Sequence, residues 1–348
     1  MRQDLKTEII KINNPAESYR DIERAAGIIR AGGLVVFPTE TVYGLGGNGT
    51  DPAAASKIYA AKSRPSDNPL ILHIAKPSGA ERYAVTNEHY YKLAEAFMPG
   101  PLTIILSKKP VVPDRVTGGL PTVALRCPSH PVAHALIEAA GLPIAAPSAN
   151  ISGRPSPTSA RYAIEDMDGR VDMIIDGGDC EIGLESTIIA LDGEGALLLR
   201  PGAVTYDALC CVLEKVEISA AAMGEMTADD RPLAPGMKYR HYAPSSPLVL
   251  LEGSDEDFIN YIKQKRSIEN CAVICSPVEA KALGGENLVL TGEAGDYPTQ
   301  ARRLFSALRE ADKLGCGVIY ARKPPADGLG LALYNRLVRA ASHMVIKI

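Results

Sequence analysis

Along the chain, short apolar runs alternate with stretches whose apolar residues recur every three or four positions. Between residues 17 and 31, Ile22, Ala25, Ala26 and Ile29 fall on one face and Gly32-Gly33 follows, which predicts an amphipathic helix with a glycine stop. The run Leu34 to Phe37 ends at Pro38 and reads as a buried strand delivering a polar, glycine-rich turn, TETVYGLGG. Asp51-Pro52 supplies an N-cap and a first-turn proline for a helix with Ala55, Ile58 and Tyr59 inward. A basic turn then feeds the strand LILHI (70–74). A helix near 87–97, the turn Pro99 to Pro101, strands LTIIL and TVALRCP (122–128) and a helix over 130–141 follow. Next come the passage PIAAPSAN (143–150), a helix over 158–167, strand VDMIIDGG, the turn EIGLES, and strands TIIAL and ALLLRPG. The mixture predicts an α/β fold with an α+β-like twisted open sheet over residues 1–215.

Residues 216–246 change character. Small and polar residues dominate 219–232, and PLAPGMKYRHYAPSSP carries four prolines, so the stretch reads as a linker. Its run from Met237 to Tyr242 is basic and aromatic, which a plain spacer does not need. From 247 to 348 strands and helices alternate again: PLVLLEG, helix 254–266, CAVICS, NLVLTG, helix 299–314, GVIYAR and helix 329–342. That order predicts a smaller, Rossmann-like parallel α/β domain. No glycine-rich nucleotide fingerprint follows its first strand, and GLGLALYN (328–335) follows a loop.

With 348 residues, two domains are the expectation. A composition of 46% hydrophobic and 22% charged residues, with net charge −4, gives no bulk attraction to nucleic acid or membrane. No apolar stretch reaches the roughly 18–20 residues of a membrane helix, and the charged N-terminus lacks a signal peptide's apolar centre, so a cytoplasmic protein is expected. The seven cysteines read as reduced core thiols, and the Cys271/Cys275 spacing has no second pair to hold zinc.

Four stretches are more polar than packing requires: PTETVYGLG; Lys62-x-Arg64 with Asn68 and His73; PSANISGRPSPTS; and Ser186-Thr187 with Arg200-Pro201-Gly202. Lys62 and Arg64 suit phosphate binding, as a point charge and a fork, or form a solvated loop. PSANISG offers hydroxyls and amides to a ligand, or is simply a turn. Arg126, leaving an apolar strand, meets a ligand anion or a buried Asp or Glu of the same fold. His73 lies in an apolar strand and reads first as a hydrogen-bonded core residue. His130 and His134 have no third ligand and are read as structural. Neither a nucleophile elbow nor a Walker A loop is present.

Together these stretches resemble the Sua5/YrdC family. The matching pieces are FPTETVYGLG (37–46), KSRPSDNPL (62–70), PGPLT (99–103), LRCPSHP (125–131), APSANISGRPSPT (146–158), ESTI (185–188) and LLRPGAVT (198–205). Lys62, Arg64, Ser148 and Asn150 match the family's Lys-x-Arg and Ser-x-Asn signature. PGMKYRHYAP (235–244) and GLGLALYNRLVRAA (328–341) match the longer, Sua5-type members.

The resemblance implies a YrdC-type N-terminal domain (1–215) with a concave, positively charged cavity, a linker acting as a lid (216–246) and a Sua5-type C-terminal domain (247–348). It implies condensation of L-threonine, bicarbonate and ATP to threonylcarbamoyl-AMP and pyrophosphate, with Mg²⁺ carried by the nucleotide. A separate complex would then transfer the group to adenosine 37 of tRNAs reading codons that start with A. Thr41, His73, Arg126, Ala146 (through its backbone) and Ser186 would hold threonine and its carbamate. Lys62 and Arg64 would serve the reaction. ATP would meet them together with Asn68, Thr122, Ser148, Asn150, Ser156 and Arg200, and His241 or Tyr242 would fold over the cavity. Two other readings compete. A tRNA- or double-stranded-RNA-binding module would release no pyrophosphate. A carbamoyl transferase of the same fold would carry extra domains whose cysteine pairs this chain lacks.

Overall fold

The computed structural model describes residues 5–191, 194–224 and 242–348. β1 (Glu8–Lys11) is a short, charged strand, and α1 (Tyr19–Arg30) buries the Ile22, Ala25, Ala26 and Ile29 stripe its spacing predicts. β2 (Val35–Phe37) is buried throughout and pairs antiparallel with β3 (Gly44–Asn48). The glycines that read as a turn therefore form a strand. A Cβ at Gly46 would stand 2.7 Å from the Phe37 ring and 2.8 Å from Ile144 Cγ2, so only glycine fits this tightly covered strand. α2 (Pro52–Lys62) starts on Asp51, whose carboxylate accepts from the Ala53 amide at 2.8 Å.

The chain continues through β4 (Ile71–His73), α3 (Glu88–Phe97), β5 (Leu102–Ser107), α4 (Asp114–Thr117), β6 (Thr122–Arg126), α5 (Pro131–Ala140) and β7 (Ile144–Ala145). Then follow α6 (Ala160–Met167), β8 (Met173–Asp176), β9 (Thr187–Leu191), β10 (Ala196–Arg200), α7 (Tyr206–Cys210) and β11 (Val216–Ile218). These strands make one mixed sheet in the order β1-β8-β2-β3-β7-β4-β6-β5-β9-β10-β11. β11 falls in the stretch that reads as linker, and pairs parallel with β10. β4 runs parallel to β6, while β5 runs antiparallel to β6 and parallel to β9. The C-terminal ends of β4, β6 and β10 thus share one sheet edge with the N-terminal ends of β5 and β9. The polar stretches gather at that edge.

The second sheet is built from β12 (Leu248–Glu252), α8 (Asp255–Arg266), β13 (Cys271–Cys275), α9 (Pro277–Leu283), β14 (Leu288–Leu290), α10 (Tyr297–Lys313), β15 (Val318–Arg322), α11 (Gly328–Ala340) and β16 (Val345–Lys347). Its order is β14-β13-β15-β12-β16, and every pair is parallel. β13 is buried at all five positions, as expected for a parallel strand covered on both faces. The α/β expectation for both parts holds.

The two sheets are docked through one continuous apolar seam. Val42 and Leu184 from the first part and Tyr242 pack in the same cluster as Leu304, Phe305 and Leu337 of α10 and α11. Gly183, at φ +79°, lets α10 approach: a Cβ there would lie 2.4 Å from Arg302 Cα. Arg309 of α10 pairs with Asp166 of α6 at 2.6 Å and donates to the Pro155 carbonyl at 2.6 Å. Five cysteines are buried thiols as the sequence suggested. Cys210 and Cys211 are exposed instead, because α7 turns only Leu209 inward. Among the described residues no helix is long and apolar enough to cross a membrane.

Candidate active site

At the shared sheet edge lies a cavity of roughly 690 Å³, its mouth included. Its wall brings together Thr41, Lys62, Arg64, His73, Arg126, Ala146, Ser148, Asn150, Ser156, Ser186, Arg200 and Tyr242. Four of these are cations and Glu185 is the anion of the wall, so the cavity is strongly electropositive.

One end is built by β4, β6 and the turn after β2. His73 and Arg126 are register partners on adjacent parallel strands, and Arg126 faces Thr103 on its other side. Arg126 Nη2 lies 2.8 Å from Glu40 Oε1, and both side chains are buried. The buried-carboxylate partner is therefore present, and Arg126 still faces the cavity. Burial is the largest influence on Glu40 and raises its pKa. The adjacent Arg126 charge and hydrogen bond, with backbone amides of Glu40 and Ser129, outweigh it and hold the carboxyl below its ordinary value. His73 is pushed down to about 3, by burial first and then by Arg126, so it is a neutral imidazole at physiological pH. Thr39 Oγ1 accepts from the Thr41 and Val42 amides at 3.2 Å each, lies 2.9 Å from Thr41 Oγ1 and donates to the Val42 carbonyl at 2.6 Å. It shapes the turn that presents Thr41. Tyr43, in the same turn, is not part of the cavity wall and donates to the Gly178 carbonyl at 2.6 Å. The Ser186 hydroxyl lies 2.7 Å from Thr103 Oγ1 and accepts from Arg200 Nη2 at 3.2 Å.

The other end is built where α2 stops. Ser63, the C-cap, is left-handed at φ 52° and turns the chain so that Arg64 leaves the helix axis. Arg64 donates to the Pro69 carbonyl at 3.1 Å while facing the cavity. Lys62 is fully buried. Its ammonium donates to the Ser148 carbonyl, to the Asn150 carbonyl at 2.6 Å and to Asn150 Oδ1 at 3.3 Å. Desolvation, reinforced by Arg64, lowers its pKa well below the usual lysine value. Ser148 Oγ donates to Asn150 Oδ1 at 2.5 Å, and Asn150 Nδ2 donates to the Ile151 and Arg154 carbonyls at 2.9 Å. Lys62 and Asn150 thus fix the loop that follows β7. Arg200 donates to the Ser186 carbonyl at 3.0 Å. Burial lowers its pKa to about 10, which leaves it charged at neutral pH.

Two expected residues lie outside the wall. Asn68 is buried beside Arg64 and offers its carbonyl at 3.4 Å to Arg64 Nε. Thr122 opens β6, on the same strand face as Arg126 but four residues upstream. His241 falls outside the described residues, while Tyr242 lines the cavity at φ 63° with its ring 5.2 Å from that of Phe305.

Sequence reasoning missed the carboxylate of the cavity wall, Glu185. Glu185 accepts from Ser156 Oγ at 2.5 Å and from Arg336 Nε at 3.0 Å, and its carbonyl accepts from Arg336 Nη2 at 3.1 Å. Arg336 belongs to α11 and is completely buried. Burial raises the Glu185 pKa most strongly as a single influence. Arg336, Arg200 and the Ser156 hydrogen bond together bring it below the ordinary value. The available signal was an arginine inside the apolar pattern LALYNRLV.

Comparison with known proteins bears on this site. The family model named for Sua5, YciO and YrdC, described as "Telomere recombination", matches residues 27–202. A second, "Threonylcarbamoyl-AMP synthase, C-terminal domain", matches residues 204–342. The chain is similar to the threonylcarbamoyl-AMP synthase of Pyrococcus abyssi, at 46% identity over 98% of this chain and all of that one. It is 42% identical to the Bacillus subtilis threonylcarbamoyl-AMP synthase, covering 98% of this chain and 97% of the other. The crystal structure of P. abyssi Sua5 complexed with L-threonine superposes with a TM-score of 0.91 at 44% identity, over 98% of this chain and all of that one.

Proposed function

The chain belongs to the Sua5-type family of threonylcarbamoyl-AMP synthases, which are nucleotidyltransferases, and we propose that its cavity condenses L-threonine, bicarbonate and ATP into threonylcarbamoyl-AMP and pyrophosphate. One observation carries this reading. Lys62, Arg64, Arg126 and Arg200 converge on a cavity whose remaining polar lining is mostly small hydroxyls and amides. Such a lining gathers anions without supplying a nucleophile, and every reactant except the threonine amine is an anion.

The threonine end is the one with Thr41, His73, Arg126, Ala146 and Ser186. Arg126 takes the amino acid's carboxylate, keeping Glu40 behind it as a counter-charge. Neutral His73 and the Thr41 and Ser186 hydroxyls orient the rest. Carbamate formation joins the threonine nitrogen to the bicarbonate carbon with loss of water. A carbamate oxygen then attacks the α-phosphorus of ATP, and the bond to pyrophosphate breaks. Arg64 and Arg200 offset charge on the phosphates, and the loop carrying Ser148, held by Lys62 and Asn150, together with Ser156, positions the nucleotide. Asn68 and Thr122 support this end from behind the wall. Among the described residues no cluster of His, Cys, Asp or Glu is built to hold a metal, and Mg²⁺ fits as an ion carried on the nucleotide phosphates, where it would ease pyrophosphate departure. Tyr242 covers the cavity and keeps water from the hydrolysable product. The adenylate then passes to a separate complex that modifies tRNA in the cytosol.

The test is incubation with ATP, L-threonine and labelled bicarbonate. Labelled adenylate should form, and pyrophosphate release should require both threonine and bicarbonate. Arg64→Ala should lower the rate about a hundredfold, the scale of one lost preorganised donor. Pyrophosphate release that ignored threonine, or an unchanged rate in the variant, would refute this assignment.

A further inference from the structure

The second sheet carries a cavity of its own, roughly 870 Å³ with its mouth, about which the catalytic reading says nothing. It lies beyond the C-terminal ends of the parallel strands. After β13 the chain turns outward through α9 to β14, whereas after β15 it crosses the other way through α11 to β16. β13 and β15 are neighbours, so the cavity sits at the topological switch point of the sheet, where open α/β sheets take their ligands.

Its chemistry is mixed in sign. Arg322, at the end of β15, lies between two carboxylates: Nη2 is 2.7 Å from Asp255 Oδ1 and Nε is 2.7 Å from Glu279 Oε1. Lys323 beside it pairs with Glu252 at 2.9 Å. The floor is apolar, with Ile274, Leu333 and Leu337. A phosphate-bearing ligand is disfavoured, because Asp255 and Glu279 flank the crevice's arginine and the N-termini of α8, α9 and α10 are already capped by the chain's own side chains. Ser254 and Asp257 form a capping box on α8, Ser276 and Glu279 form one on α9, and Asp296 caps α10. A bare cation would meet Arg322 and Lys323. A ligand bearing both charges close together satisfies both sets, and an apolar side group fits the floor.

We propose that this crevice is a second binding site, for a small zwitterion of the free α-amino acid class. Its carboxylate faces Arg322 and Lys323. Its ammonium faces Glu279 and Asp255, whose side chain is largely exposed.

The test is calorimetric titration of the full chain with a panel of free α-amino acids, and with putrescine, inorganic phosphate and AMP as probes of a single charge sign or a phosphate group. Because the catalytic cavity is itself read as a threonine site, the panel is repeated on Arg126→Ala. The expected result is an amino acid bound equally by the parent and by Arg126→Ala. Its binding should weaken about tenfold or more in Arg322→Gln, the loss expected for a charged hydrogen bond. It should weaken likewise in Ala294→Trp, which plugs the mouth without touching a charge, with thermal melting showing that both variants are folded. The proposal is overturned if no amino acid binds Arg126→Ala, if binding survives both crevice variants, or if phosphate, AMP or putrescine binds there in preference.

Discussion

Replacing Arg336 by Met tests how the C-terminal helix α11 supports the catalytic wall. The side chain is completely buried and makes two contacts to Glu185, at 3.0 and 3.1 Å, and a third to the Pro201 carbonyl. Met fills much of the volume but, among the described residues, leaves the Glu185 carboxylate with the Ser156 hydroxyl as its remaining side-chain hydrogen bond. Breaking one partner out of a buried pair costs about 3–5 kcal/mol, most of it the uncompensated charge. In urea that corresponds to a midpoint lower by about 1–1.7 M for a chain with a slope near 3 kcal/mol/M. Glu185→Gln on top of Arg336→Met removes the stranded charge, so the double variant should be more stable than Arg336→Met alone.

The pH dependence carries a sign. In the parent, Glu185 has a folded pKa below the ordinary carboxylate value of 4.5, so its contribution is full above that pH and is lost as pH falls through the folded value. Without Arg336, burial governs and the folded pKa rises. The variant's deficit against the parent should therefore be largest near neutral pH and shrink on acidification. Denaturation series at several pH values, with adenylate synthesis measured alongside, check all three points. An Arg336→Met chain within about 1 kcal/mol of the parent, or a double variant no better than the single, would refute the reasoning.

Three further outcomes are expected. Gly183→Ala should lose roughly 2–4 kcal/mol in a melting experiment, since it combines a left-handed backbone with overpacking against α10; an unshifted melting curve would show that the seam is loose. Lys62→Met strands the Ser148 and Asn150 carbonyls and should cost roughly 2–5 kcal/mol together with adenylate synthesis; full activity would remove Lys62 from the site. His73 has a folded pKa of about 3 against an ordinary 6.5, so its contribution is complete above pH 6.5 and declines as pH falls towards 3. His73→Gln should flatten the stability profile across that window, and the parent's rate profile near pH 6.5 should show no limb that this substitution removes.

The sequence exposed what local patterning controls. The α1 stripe, the Asp51 cap and the apolar cores of β2, β5 and β6 follow from spacing alone. The polar stretches were also visible as polarity that packing did not demand, and the fold brings most of them to one sheet edge. What stayed hidden depends on distant partners. GLGGN reads as a turn because glycine disfavours strands, and only the Phe37 ring and Ile144 pressing on Gly46 explain β3. Tyr43 sits in the same polar turn as Thr41, yet its hydroxyl is taken by Gly177 and Gly178, partners that local sequence does not show. Glu185 lies in a short polar turn, and nothing nearby in the chain announces a buried arginine 151 residues later.

That separation also has a bearing on synthesis. Translation at roughly 5–20 residues per second leaves an interval of roughly 8–30 s between the making of Glu185 and the making of Arg336. During that time the first sheet can form on the ribosome while its wall carboxylate still lacks its cation. A nascent chain halted before α11 should accordingly be cut more readily around residues 181–186 in a proteolysis assay than the released protein. The last helix to be made would thus act as a completion signal, closing the catalytic wall only once the whole chain has been translated.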